Sequence, residues 1–422
     1  MSSFGKLFGS VATYASANIL NSAIPFFLLP VLTRVLSPAE YGVVAMFTTV
    51  MSVLSAFTGL SLHGSVSVRY FDRETDHPRF VGTCLAVLSA STFIVLLIVL
   101  SIAEPLSRWT SLPQGWLLIA VLAAAAQTII QIRLVVWQVK NQVVRYGSFQ
   151  VIQTLVNLSL SLGLILLLGM GWEGRGLGIV GAIFLFGVSA LYSLQRGCFV
   201  SWNFNPDYAR AALRFGVPLI PHTVGAMMIA MSDRFIVTSA LGVAATGSYA
   251  VGAQMGMVVG VLADAFVKAF APHLYGELRK KDELAGVRIV RQCAVMFLVF
   301  LVLAICYVSM LPYVYPWIVG DEYKDSLRVA QLIGFGNAFM GMYYVVAGFI
   351  FFSEKTGYLA RLTLSVGLVN VVLTYFLVDR LGVVGAAWSY VFVQLVFFLG
   401  AWCMAQRILP LPWLLVLSLR KA

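Results

Sequence analysis

The chain has 422 residues, of which 60% are hydrophobic and 11% charged, with a mean hydropathy of +0.91. Soluble domains carry about 25% charged residues, so this inventory excludes an ordinary water-facing surface and implies a polytopic membrane protein. The formal charge of +11 raises nucleic acid as a partner, but the placement of the charges argues against it.

A spanning helix needs about 20 mostly apolar residues. Twelve such runs follow one another, at 11–35, 41–66, 80–103, 115–138, 149–169, 177–195, 215–241, 247–269, 292–312, 329–351, 360–378 and 382–406. The expected fold is all-α, with about twelve transmembrane helices. The opening stretch MSSFGKLFGSVATYASANIL lacks the short apolar region and small-residue cleavage site of a signal peptide, so it reads as the start of the first span. With a cytoplasmic N-terminus, 21 of the 28 Lys and Arg fall on the cytoplasmic side, six fall outside, and Arg234 lies within a span. Positive residues collect on the cytoplasmic side of membrane proteins, so both termini are expected there and topology accounts for most of the net charge. The connections are short, the longest being the 270–291 loop.

The first inter-helix turn reads TRVLSPAEYGVVAM from Thr33, and TSALGVAATGSYAV starts 205 residues later at Thr238. Thr33/Thr238, Leu36/Leu241, Ala39/Ala244 and Gly42/Gly247 coincide. A second echo, LGIVGA at 177–182 against LGVVGA at 381–386, has nearly the same offset. Two echoes at one spacing imply duplication of a six-helix unit, with an N-terminal lobe at 1–203 and a C-terminal lobe at 204–422. Six is even, so both copies enter the membrane in the same sense. The expected pseudo-two-fold axis runs along the membrane normal, with a central cavity between the lobes as the substrate site.

Ionisable groups inside a span cost about 2.5–3.5 kcal/mol on insertion scales, so they usually face a partner or a wet cavity. Pro25 and Pro30 interrupt the first span, and Pro218 and Pro221 fall in the first half of the seventh. Proline frees backbone carbonyls and bends helices, which makes these four the candidate hinges. Arg34 sits at the outer end of the first span and Arg69 at the inner end of the second; each either snorkels into headgroups or binds substrate. Arg133 has the same snorkelling reading. Asn18, Asn21, Asn157, Asn337 and Asn370 read as interhelical glue. His222, between the two prolines of the seventh span, titrates near neutrality if exposed; otherwise it is a core histidine. Asp233 and Arg234 lie side by side, about 100° apart around the helix, and so face each other poorly. They are an interhelical salt bridge, a cavity Arg for an anionic substrate with Asp as counter-ion, or a proton or cation site at Asp233. Gly252, Gly256 and Gly260 repeat every four positions and permit close helix approach. Asp264 and Lys268 form an i,i+4 pair that is structural or lines an inner gate. The five cysteines are scattered, without metal-like spacing, and read as packing residues.

No catalytic constellation, metal site or phosphate loop is present in the sequence. A membrane glycan polymerase or ligase is expected to carry a sizeable outer loop with Arg or His, whereas the longest outer loop here is PYVYPWIVGDEYKDSL. Transport is favoured over catalysis, with no cofactor and with any energy drawn from a proton or sodium gradient, the membrane potential or the substrate gradient.

The stretch LPVLTRVLSPAEYGVVAMF, together with Phe215-Gly216-x-Pro218-x-x-Pro221, Asp233-Arg234, Leu241-Gly242 and Gly247-x-Tyr249, resembles the bacterial polysaccharide (O-antigen, Wzx-type) flippases. These belong to the multidrug/oligosaccharidyl-lipid/polysaccharide exporter superfamily, and the resemblance covers essentially the whole chain. It implies translocation of an undecaprenyl-pyrophosphate-linked oligosaccharide from the cytoplasmic to the periplasmic leaflet of a bacterial inner membrane. The implied partners are the lipid-linked glycan, the bilayer and other polysaccharide-assembly proteins. Arg can grip phosphate bidentately, so Arg234, Asp233, Arg69 and Arg34 become the substrate-binding candidates, with Asp233, Asp264, Lys268 and His222 as coupling or gate candidates. The alternative is a cation-coupled multidrug antiporter of the same superfamily, whose cavity would be dominated by carboxylates. The major facilitator class also has 6+6 helices, but its G-x-x-x-D-R-x-G-R-R loop is absent from GSVSVRYFDRETDHPRF.

Overall fold

The computed structural model describes residues 26–72, 74–278, 283–353 and 355–413. Pro25, Asn18 and Asn21 lie outside them, as does the side chain of His222. Every regular element among the described residues is helical. In chain order these are α1 (Phe26–Val35), α2 (Pro38–Gly59), α3 (Leu62–Arg69), α4 (His77–Ser101), α5 (Ala103–Thr110), α6 (Gln114–Val139), α7 (Val143–Leu168) and α8 (Gly171–Arg196). They continue with α9 (Pro206–Gly216), α10 (Ile220–Leu241), α11 (Val243–Leu278), α12 (Glu283–Ile318), α13 (Ser326–Phe352), α14 (Thr356–Leu381) and α15 (Val383–Ile408). Among the described residues, eleven helices are long and apolar enough to cross a membrane, and α1 is the described part of the first expected span.

The helices form two compact units, Met1–Val224 with Gly242–Gly247, and Gly225–Leu241 with Ser248–Ala422. In the first unit, α2 packs on α6, α4 and α8, while α7 lies along α8. Its apolar core includes Leu62, Val66, Phe80, Cys84, Ile132 and Val136. The sequence marks its own helix starts. Ser37 accepts from the Glu40 amide and Glu40 reaches back to the Ser37 amide, a capping box with Pro38 at the first helical position. Asp76 and Asn205, each just ahead of a helix that carries proline in its first turn, cap α4 and α9 by accepting first-turn backbone amides.

The second expected span does not run through to residue 66. It breaks at Leu60 and Ser61, which adopt the left-handed conformation at φ 44° and 52°. The reversed Leu60 carbonyl points at Gly216, where a Cβ would collide with it. Pro218 and Pro221 also sit differently from expectation. Pro218 lies in a 3-10 turn between α9 and α10 and Pro221 in the first turn of α10, so they shape the approach to the span. Further on, Pro312 and Pro316 lie inside α12.

In the second unit, α13 packs on α15 and α12, and α14 on α15. The glycine row of α11 faces α13: Cβ atoms at Gly252, Gly256 and Gly260 would meet the Ser326 carbonyl, Ile333 and Asn337. Asn337 donates to the Gly256 carbonyl at 3.0 Å and accepts from the Tyr390 hydroxyl, so the asparagine does join helices. Cys84 and Cys293 are buried packing residues; Cys198, Cys306 and Cys403 are exposed, contrary to the packing role expected of them.

Candidate functional site

Asp233 and Arg234 lie in the spanning part of α10, Thr223–Leu241. Their side chains are 10% and 17% exposed, and the guanidinium Nη1 is 3.7 Å from the Asp233 carboxylate. The neighbours therefore do pair, against the expectation from their angular separation, because the carboxylate turns back along its own helix. One Asp233 oxygen accepts the Arg234 backbone amide at 2.8 Å, and the other accepts the hydroxyl of buried Tyr249 on α11. Arg234 Nη1 also donates to the Ala230 carbonyl at 3.0 Å, one turn earlier. Asp233 thus engages both oxygens in holding this corner, one bond to each, while a guanidinium has five N–H donors, and only Nη1 is engaged in these contacts. The arrangement presents a positioned cation rather than a vacant carboxylate.

A polar seam supports the same helix. Asn370 on α14 donates to the Met228 carbonyl at 2.8 Å and to the Ser232 hydroxyl at 3.1 Å, and Thr374 and Ser389 point their hydroxyls back at it. Elsewhere in the second unit, Lys268 and Asp264 form a 2.6 Å pair on α11, both partly exposed. This pair is local to its helix.

The two other arginine candidates, Arg34 and Arg69, lie in the first unit and do not meet each other. Arg34 ends α1 and donates to the Pro30 carbonyl at 2.6 Å. Arg69 ends α3 and pairs with Asp72 at 2.8 Å. The 22 residues of α2 separate them, about 33 Å at 1.5 Å per residue, so one phosphate cannot be gripped by both at once. Arg69 instead lines a cleft of about 560 Å³ with Arg210 and Arg214 of α9, residues more than 140 positions away that no span pattern joins to it. The Asn-Pro-Asp start of α9 and the Arg210/Arg214 spacing were the available signals.

Two other arginines lie deeper than their sequence positions suggested. Arg175, which falls between the expected spans 149–169 and 177–195, lies inside α8 and donates to Asn157 and Ser161 of α7 at 2.7 and 2.6 Å. Gly178 allows this, since a Cβ there would strike the Ser161 backbone. Arg133, expected to snorkel, is 4% exposed and stacks 4.2 Å from the Trp137 ring. Its Nε and Nη1 have no protein acceptor among the described residues.

At Gly42 the echo at 205 residues becomes physical. A Cβ on Gly42 would meet the Val243 carbonyl, and one on Gly247 would meet the Pro38 carbonyl. Pro38 and Val243 are themselves related by the 205-residue shift, so the contact is reciprocal.

Residues 7–275 match the family described as polysaccharide biosynthesis protein. The Lsg locus protein 1 of Haemophilus influenzae is 23% identical over 360 residues, 83% of this chain and 86% of that protein. A second membrane protein of the same organism is 26% identical over 272 residues, 63% of this chain and 65% of its own length. Among solved structures, a multidrug resistance MATE family transporter of the MOP superfamily superimposes with a TM-score of 0.75 at 14% identity, covering 96% of both chains. The lipid II flippase MurJ also gives 0.75, at 12% identity, over 93% of this chain and 87% of that one. These two likenesses establish a shared fold.

Proposed function

Because the chain belongs to the polysaccharide biosynthesis protein family, we propose that it carries an undecaprenyl-pyrophosphate-linked oligosaccharide from the cytoplasmic to the periplasmic leaflet. The chain is a multi-pass membrane transporter in polysaccharide biosynthesis, not an enzyme. The observation that carries the finer reading is Arg234: a guanidinium within a span, aimed by Asp233 and Ala230, with donors left for a phosphate. In this reading Asp233 positions Arg234 and does not touch the substrate.

The two solved relatives have equal TM-scores, so the fold does not choose between a flippase and a multidrug antiporter. The side chains favour the flippase. A cation antiporter needs an available carboxylate, whereas the Asp233 oxygens already accept from Tyr249 and the Arg234 amide and Asp264 is paired with Lys268. Asp264 with Lys268, and His222, are the proposed sites for coupling to a proton or sodium gradient. Pro25, Pro30, Pro218 and Pro221 are the proposed bending points. Cytoplasmic termini, partnership with other polysaccharide-assembly proteins, and a duplication dividing the chain at 203/204 complete the proposal; the reciprocal glycine contact supports the duplication.

The test substitutes Arg234→Ala and Arg234→Lys and measures surface polysaccharide at matched membrane levels of the protein. Loss in Arg234→Ala with partial retention in Arg234→Lys is expected. Wild-type polysaccharide in both variants would remove Arg234 from the mechanism.

A further inference from the structure

The cleft between α3 and α9 is not used by that function. Helix α9 is amphipathic: Ala209, Ala212 and Gly216 are buried, and Asp207, Arg210 and Arg214 are exposed. It is fixed against the first unit by two close contacts, the Phe215 ring beside Gly64 and Gly216 under the Leu60 carbonyl. Arg210 and Arg214, four residues apart, share one face of the helix, and Arg69 joins them across the cleft.

The charges there do not cancel. Asp72 is committed to Arg69 at 2.8 Å and also accepts the Thr75 hydroxyl and the Glu74 amide. Asp207 lies 3.5 Å from Arg210. Arg214 pairs with no carboxylate among the described residues. Among the described residues that line the cleft, three guanidiniums against two carboxylates leave one positive charge, which matches the single negative charge of a phosphodiester and falls short of a pyrophosphate.

Val68 and Phe215 line this basic floor with apolar surface, and Val68 is 59% exposed. Exposed aromatic side chains flank the lining segments in the chain: Phe71, just before Asp72, at 71%, and Trp202 and Phe204, just ahead of α9, at 60% and 51%. Aromatic side chains of this kind sit at the headgroup level of membranes. A free phosphate would have no use for such a rim, whereas acyl chains would. We propose that this cleft binds the headgroup of a monoanionic glycerophospholipid, with the phosphodiester on Arg214 and Arg210 and the acyl chains along the apolar rim. A lipid so held anchors α9, which leads through one turn into the helix that carries Arg234.

The test is native mass spectrometry of the full-length protein in detergent, titrated separately with phosphatidylglycerol, phosphatidylethanolamine, phosphatidylcholine and undecaprenyl pyrophosphate. Phosphatidylglycerol is expected to be retained about three-fold better than the zwitterionic lipids, the size of one exposed ion pair. Arg214→Gln should remove that preference. Asp207→Asn, which frees Arg210, should increase it, a gain that misfolding cannot imitate. Arg407→Gln, outside the cleft, should change nothing. Equal retention of the three phospholipids, or a loss in Asp207→Asn, would overturn the proposal. So would an Arg214→Gln effect confined to undecaprenyl pyrophosphate, which would make the cleft a substrate site.

Discussion

Tyr249→Phe removes one hydroxyl from a fully buried ring and leaves the volume of the site unchanged. A hydrogen bond to a charged group contributes about 1.5–3 kcal/mol, and Asp233 keeps its other donors, the Arg234 amide and guanidinium. The substitution should therefore destabilise the protein by about 1.5–3 kcal/mol. Asp233→Asn removes the charge that faces Arg234. Breaking a buried pair costs about 3–5 kcal/mol, and the lower end applies here because Arg234 retains 17% exposure. With Asn in place, Tyr249 donates to a neutral acceptor, so Tyr249→Phe should then cost about 1 kcal/mol. The double variant should fall short of the sum of the singles by about 0.5–2 kcal/mol. Equilibrium unfolding in mixed detergent measures all three. A Tyr249→Phe variant within 0.5 kcal/mol of wild type would refute the view that the carboxylate is held as a positioning group.

Gly42→Ala and Gly247→Ala should each cost about 1–3 kcal/mol or more, because each new methyl meets a backbone carbonyl that no rotamer change can clear. Gly163→Ala, with nothing within 4 Å, should instead gain up to about 1 kcal/mol; thermal unfolding compares the three. Asn370→Leu should lower stability by about 0.6–2 kcal/mol through the lost bonds to Met228 and Ser232, and should reduce export beyond what protein levels explain. The Thr75 hydroxyl, the Glu74 amide and the Arg69 guanidinium hold the Asp72 carboxyl below its ordinary range. A depressed carboxylate pKa gives a contribution that is present above the ordinary value and lost as the pH falls through the folded one. Phosphatidylglycerol retained through gel filtration should thus be constant from about pH 5 to 8; a midpoint near neutrality would implicate a histidine instead.

Spans were legible because about 20 apolar residues between charged turns have few other uses. Ser37-Pro38-x-Glu40 and Asn205-Pro206-Asp207 likewise carry their caps in the sequence. The break at Leu60–Ser61 was not legible: apolar character runs on through it, and the left-handed backbone accompanies a contact with Gly216, 156 residues away. The depth of Arg133 and Arg175 was hidden for a related reason. Counting charges against span ends assumes that a terminal arginine turns outward, whereas the Trp137 ring and the Asn157–Ser161 pair draw these two inward. The opposite placement of Arg34 and Arg69 was legible from the span ends, and α2 running between them fixes their separation. Tyr249 belongs to the Gly247-x-Tyr249 motif, but its bond to Asp233 depends on α10 and α11 lying side by side.

The central claim is that a membrane-embedded guanidinium moves a lipid-linked pyrophosphate. Its most direct test is flipping in proteoliposomes, followed as the exposure of an undecaprenyl-pyrophosphate-linked oligosaccharide to an added lectin. Wild-type protein should accelerate exposure over empty vesicles, and Arg234→Ala should bring the rate close to that background. Equal rates with wild-type protein and with empty vesicles, alongside gradient-driven movement of an organic cation, would contradict the account.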